Sequence, residues 1–166
     1  MPQAFDPANS QLKSITQVGA LLEIAIAVNV AESAYNAANP TRTKSLLTTT
    51  MNGDEKSAQI NATFPIAQAI NAQGQPYFVA TDYLGAAYSV FDGNASIVST
   101  SVMAAFLEQA HKVQAFELAF PENDRPNSVS IEYSSDGQQV TISCNLPVNE
   151  SINADGSIKY STVDYL

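Results

Sequence analysis

Apolar and polar residues alternate over Ala58, Ile60, Ala62 and Phe64, and again over Val140, Ile142, Cys144 and Leu146. A period of two is that of a half-buried β-strand. Between these rows the period changes. Val102, Phe106, Ala110, Val113, Glu117 and Phe120 recur every three or four positions, which traces one face of an amphipathic helix, and Pro121 and Pro126 mark its stop. Val129, Ile131 and Tyr133 then alternate up to a turn at Ser134-Ser135-Asp136-Gly137, and the row 140–146 returns as the partner strand. Asp-Gly between alternating runs is a hairpin signal. A second turn at Asn153-Ala154-Asp155-Gly156 leads into a run rich in β-branched and aromatic residues, 158–165. The pattern predicts helix, strand, strand, strand. The first half predicts the same order, with an apolar helix over 18–31 and turns at Asn52-Gly53 and Asn71-Ala72-Gln73-Gly74.

The two halves also resemble each other in residue identity. A shift of 82 places residues 63–84 on 145–166 without a gap, and eight of the twenty-two pairs are identical: Pro65/Pro147, Ile70/Ile152, Asn71/Asn153, Ala72/Ala154, Gly74/Gly156, Asp82/Asp164, Tyr83/Tyr165 and Leu84/Leu166. Average residue usage would give about one or two. The strand rows align at the same shift. A shift of 85 superposes Leu21-Leu22-Glu23 on Phe106-Leu107-Glu108, Val28 on Val113, Glu32 on Glu117 and Tyr35 on Phe120. Phe5-Asp6 matches Phe91-Asp92 upstream of each helix, with Pro7 and Gly93 as the following turn residues. The expected fold is therefore α+β, a tandem duplication of a helix plus a three-stranded antiparallel β unit. Residues 1–84 form the first αβββ repeat and 85–166 the second, packed with pseudo-two-fold symmetry as one compact domain. One such unit alone would bury too little surface to be stable.

Composition narrows the function classes. Charged residues make up 14% of the 166 residues, well under the roughly 25% of ordinary globular proteins, so the surface must be largely Ser, Thr, Asn, Gln and Ala. Seven basic against sixteen acidic residues leave a net charge of −9. That field repels phosphate backbones and anionic lipid headgroups, so neither nucleic acid nor membrane is an expected partner. The run 18–31 is interrupted by Glu23 and Asn29 and is shorter than the roughly 20 residues a membrane span needs, which predicts a buried helix. A lone Cys144 cannot form an internal disulfide, and Met-Pro-Gln-Ala-Phe-Asp at the start has no signal-like character. The expected location is soluble and non-secreted.

Candidate chemistry is sparse. No Gly-x-x-x-x-Gly-Lys or Gly-x-Gly-x-x-Gly occurs, which removes the main support for a nucleotide or dinucleotide site. With one Cys and one His, a Cys/His zinc site within the chain is excluded. Glu108-Gln109-Ala110-His111 has the Glu-x-x-His spacing of di-iron bundles, but the first helix offers Glu23 followed by Ile26. The better reading of His111 is a surface residue loosely paired with its helical neighbour. A nucleophile would need His111 as its base, leaving Cys144/His111 or a Ser/His111 pair, and Cys144 falls in an inward strand row that suits a small buried hydrophobe. The acids Asp6/Asp92, Glu23/Glu108, Glu32/Glu117 and Asp82/Asp164 recur at equivalent places in both halves. This favours caps and turns over catalysis, although a carboxylate pair needs no other residue type.

These readings lead to the expectation of a non-enzymatic structural or assembly subunit of a larger complex, with no catalytic, cofactor or metal residues. A bacteriophage virion component such as a capsid decoration (cement), head or tail protein is the type considered. Its partners would be other protein subunits, in a homo-oligomer or larger assembly. The first helix carries Ile24, Ile26, Val28 and Val30 where the second has Gln109, His111, Val113 and Ala115, so it lies deeper or faces another subunit. Leu22, Ile24, Ile26 and Val30 are its candidate interface residues. The alternative is a small-ligand or regulatory module with its site between the two repeats.

Overall fold

The computed structural model describes residues 5–6, 11–54, 56–93 and 96–166. Pro7, expected as a turn residue, lies outside them. The protein is mixed α+β, with helices on one face of a six-stranded antiparallel sheet. Helix α1 (Gln17–Ala38) is followed by strands β1 (Leu47–Asn52), β2 (Ser57–Ile70) and β3 (Pro76–Ala80). A short helix α2 (Ala86–Ser89) leads to α3 (Val102–Leu118) and a 3-10 turn (Glu122–Asp124). Strands β4 (Val129–Tyr133), β5 (Gln139–Ile152) and β6 (Ile158–Thr162) complete the chain.

The two 14-residue strands form the spine of the sheet. β2 and β5 pair with each other from Ser57↔Pro147 to Pro65↔Gln139, through Asn61↔Ser143 at the middle. β1 lines one half of β2 from Leu47↔Ala62, and β3 takes the other half from Ile66↔Ala80. β4 lines β5 from Val129↔Cys144, and β6 pairs with it from Val148↔Thr162. The free ends of β2 and β5, folded back onto β3 and β6, project past the paired centre as two two-stranded arms. Gly74 and Gly156 turn them with φ of +79° and +87°, a backbone region that side-chain-bearing residues avoid.

Alternation decides which face is covered. Ala58, Ile60, Ala62, Phe64 and Ile66 of β2, with Val140, Ile142, Cys144, Leu146 and Val148 of β5, are buried beneath α1 and α3. Phe64 meets Phe106 of α3 edge-on at 6.5 Å between ring centroids. Gln59, Asn61, Thr63, Thr141, Ser143 and Asn145 between them face outward and are exposed. The helices start at matching caps: Thr16 Oγ1 accepts from the Gly19 N–H at 3.0 Å, and Ser101 Oγ from Ala104 at 3.3 Å.

Helix α1 is longer than its apolar run. At 22 residues it reaches membrane-span length and apolarity, yet Val18, Leu21, Leu22, Ile24, Ala25 and Val28 pack into the core. That packing is what the apolar face of a core helix does in a globular fold.

Candidate functional site

Three of the four acid pairs singled out by the repeat, Glu23/Glu108, Glu32/Glu117 and Asp82/Asp164, accept hydrogen bonds within the fold. Glu23 accepts from the N–H groups of Lys13 and Ser14 and from the Ser14 hydroxyl at 2.7 Å. Glu108 accepts from Val98 and Ser99 N–H and from the Ser99 hydroxyl at 2.6 Å. Each carboxylate clamps the segment preceding its own helix against that helix. Glu32 takes the Leu46 N–H and the Tyr83 hydroxyl, while Glu117 takes the Ser128 and Val129 N–H groups. These two tie helix to strand. Asp82 accepts from Leu84 and Gly85 N–H and the Ser89 hydroxyl at the start of α2, and Asp164 from the Leu166 N–H.

Burial sets the protonation of several groups. It raises the Glu32 carboxyl above its ordinary 4.5, against the opposing pull of its hydrogen bonds. Tyr83 is raised by burial and by the adjacent Glu32 charge. The Cys144 thiol is pushed up to about 12, first by burial and then by the Glu117 charge. A thiol held protonated at neutral pH is a poor nucleophile.

His111 has a partner other than the expected one. Its Nε2 is hydrogen-bonded to the Tyr133 hydroxyl at 2.5 Å, and the rings lie stacked with centroids 6.0 Å apart. Phe78 of β3 stacks on the same Tyr133 at 4.5 Å. The helical neighbour Glu108 is instead held by Ser99 and lies 3.9 Å from the Lys112 ammonium. His111, Tyr133 and Phe78 thus link α3, β4 and β3. Burial lowers the His111 pKa and raises that of Tyr133. Because their partners come from remote elements, helical spacing alone could not find this trio.

Two clefts lie where a helix of one half meets a terminal strand of the other. The first, about 340 Å³, runs between β3 and α3 and is lined by Tyr77, Phe78, Val79, Leu107, Glu108 and His111 among others. The second, about 390 Å³, runs between β6 and α1 and is lined by Leu22, Glu23, Ile26, Tyr160, Ser161 and Thr162 with their neighbours. His111 in the first stands where Ile26 stands in the second. Among the described residues no group of three or more His, Cys, Asp or Glu is placed to hold a metal ion.

The interface candidates on α1 divide by depth. Leu22 and Ile24 are buried in the core, whereas Ile26 is 43% and Val30 64% exposed. Gln109, which made the second helix look more polar, is fully buried and donates to Gln17 Oε1 at 2.8 Å and to the Gln17 carbonyl at 2.9 Å. It joins the two helices and does not face solvent.

No protein-family model, curated protein or solved structure significantly matches the chain.

Proposed function

We propose that the chain is a non-enzymatic assembly subunit, built by tandem duplication and packed about a pseudo-two-fold axis. The register supports the duplication: Leu47↔Ala62 recurs as Val129↔Cys144, and Ile66↔Ala80 as Val148↔Thr162, each 82 residues on. The central pair Asn61↔Ser143 joins two positions that are themselves 82 apart, which is what an axis through the sheet centre requires.

The observation that carries the assembly reading is the pair of arms. Their tips expose Ile70, Ile152 and Ile158, and the first arm adds Tyr77 and Val79. Apolar residues on a projecting two-stranded ribbon gain little in an isolated chain, and exposed apolar clusters mark contact surfaces. Exposed Ile26 and Val30 on α1 offer a further contact. A virion head, tail or decoration component is one setting for such a subunit.

A second reading rests on the cleft between β3 and α3, where His111 and Glu108 stand beside Leu107 and Tyr77. Such a site would take a small ligand between the two halves. Sedimentation over a wide concentration range, paired with a thermal-shift screen of metabolites, separates the readings. An assembly subunit gains mass with concentration and keeps its melting temperature. Constant mass together with a melting temperature that climbs as a metabolite exceeds its Kd overturns assembly in favour of ligand binding.

A further inference from the structure

The two arms differ on one face, and the difference points to a surface. In the first arm Ala67 is opposite Val79 and Ala69 opposite Tyr77. These four side chains share the face opposite the buried Ile66 and Ala80, because strand neighbours alternate between faces, and Tyr77 and Val79, on the edge strand, also border the cleft against α3. Tyr77 is 45% and Val79 40% exposed. In the second arm the corresponding positions include Asn149, Ser151 and Ser161. One arm therefore ends in an apolar outer patch, and the other in polar residues.

The patch continues into a sheet face that is polar but nearly free of charge. Thr48 and Thr50 of β1, Gln59, Asn61 and Thr63 of β2, Thr141, Ser143 and Asn145 of β5 and Ser130 of β4 are exposed beside it, with Glu132 at the β4 margin. Residues 57–81 contain no Asp, Glu, Lys or Arg and form the longest uncharged run of a chain whose net charge is −9.

We infer that this outer face, with Tyr77 and Val79 at its apolar end, is the docking surface for a second copy of the same chain. The inference rests on the assembly reading and names its partner and its surface. Charge selects the occupant. A basic partner would be drawn to the more acidic parts of the molecule, since this face offers it little beyond Glu132 at its margin. A second copy, equally acidic, can approach closely only where neither molecule presents charge. A two-fold axis through the patch sets Tyr77 and Val79 against their own counterparts, with the Ser, Thr, Asn and Gln of the sheet beside them. Four strands about 4.8 Å apart, over about eight residues rising roughly 3.4 Å each, present on the order of 500 Å² per copy. That is near the ~1,000 Å² total a specific interface needs, so the dimer is reversible and concentration-dependent.

The test is sedimentation equilibrium of the full chain and its variants at low and high salt. The wild type shows a monomer–dimer equilibrium that shifts toward dimer as salt screens the like charges. Val79→Lys and Tyr77→Lys, both at exposed positions, each lose the dimer while keeping the wild-type circular dichroism and melting temperature. Ser161→Lys, the matching position of the second arm, keeps the dimer. A wild type that associates while both arm variants associate equally well overturns this surface and leaves the assembly reading standing. A wild type that stays monomeric at every concentration and salt overturns the second copy as partner. The assembly reading falls with it only if a metabolite also raises the melting temperature.

Discussion

Burial opposes the charged forms of both Glu32 and His111, and their effects on stability run in opposite directions with pH. Burial raises the Glu32 carboxyl, so the folded chain holds that proton more tightly than the unfolded one. The stability contributed by Glu32 is complete below 4.5 and is lost as pH rises through its higher folded value. The denaturation midpoint of wild type relative to Glu32→Gln is therefore expected to fall as pH climbs above 4.5. A flat difference would show that the hydrogen bonds from Leu46, Leu47 and Tyr83 offset the burial. For His111 burial lowers the pKa, so its contribution is complete above 6.5 and is lost as pH falls through its lower folded value. As the sole histidine, its ring protons titrate without overlap from another imidazole. The NMR midpoint in the folded chain is expected below 6.5 and should move on Tyr133→Phe, which removes the 2.5 Å hydrogen bond. The acidic pairs could be read from recurrence as structural, because a residue with the same task in both halves repeats. The bond to Tyr133 could not, because β4 and α3 meet only in the folded chain.

At the scale of the element, the period of two located the rows of β2, β4 and β5 and the period of three to four located α3, since burying one face imposes them directly, whereas α1 was marked by its apolar run and β6 by its β-branched and aromatic residues. The caps were less visible. Thr16 and Ser101 each precede their helix by one residue and accept from the third N–H beyond. Thr16→Ala and Ser101→Ala are each expected to cost about 1 kcal/mol in urea denaturation. Equal losses would fit the equivalence of the two helices, and no loss at either would mean that solvent satisfies those donors as well. The length of the spine strands also exceeded their alternating rows. β2 and β5 run on to Ile70 and Ile152, past the point where one face is buried. Alternation signals burial, and β2 past Ile66 and β5 past Val148 have no buried residue to carry it; only the turns at Gly74 and Gly156 marked where these ribbons fold back.

At the scale of the whole molecule, the halves share one core and one sheet. Nine consecutive register positions join β2 to β5, and α1 packs on α3 through the buried Gln17–Gln109 contact. Residues 85–166 expressed alone would expose the β2-facing edge of β5 and the α1-facing side of α3. That fragment is expected to be unfolded by circular dichroism and to regain structure on mixing with 1–84. Independent folding of either half would show that the shared sheet is not what makes the unit stable.

The sequence by itself determined the α+β class, the long helix and three strands of each half though not the short α2, the alternating faces and the acidic, weakly charged composition. Each of these depends on local periodicity or on composition, which a linear chain carries in full. The tertiary structure alone decided the antiparallel seam between β2 and β5, the burial of Leu22, Ile24 and Gln109, and the linking of His111 to Tyr133 and Phe78. It also decided that Tyr77 and Val79 remain in solvent. Those facts depend on which surfaces meet at long range, and no spacing along the chain encodes whether an apolar residue finds its partner within the same molecule.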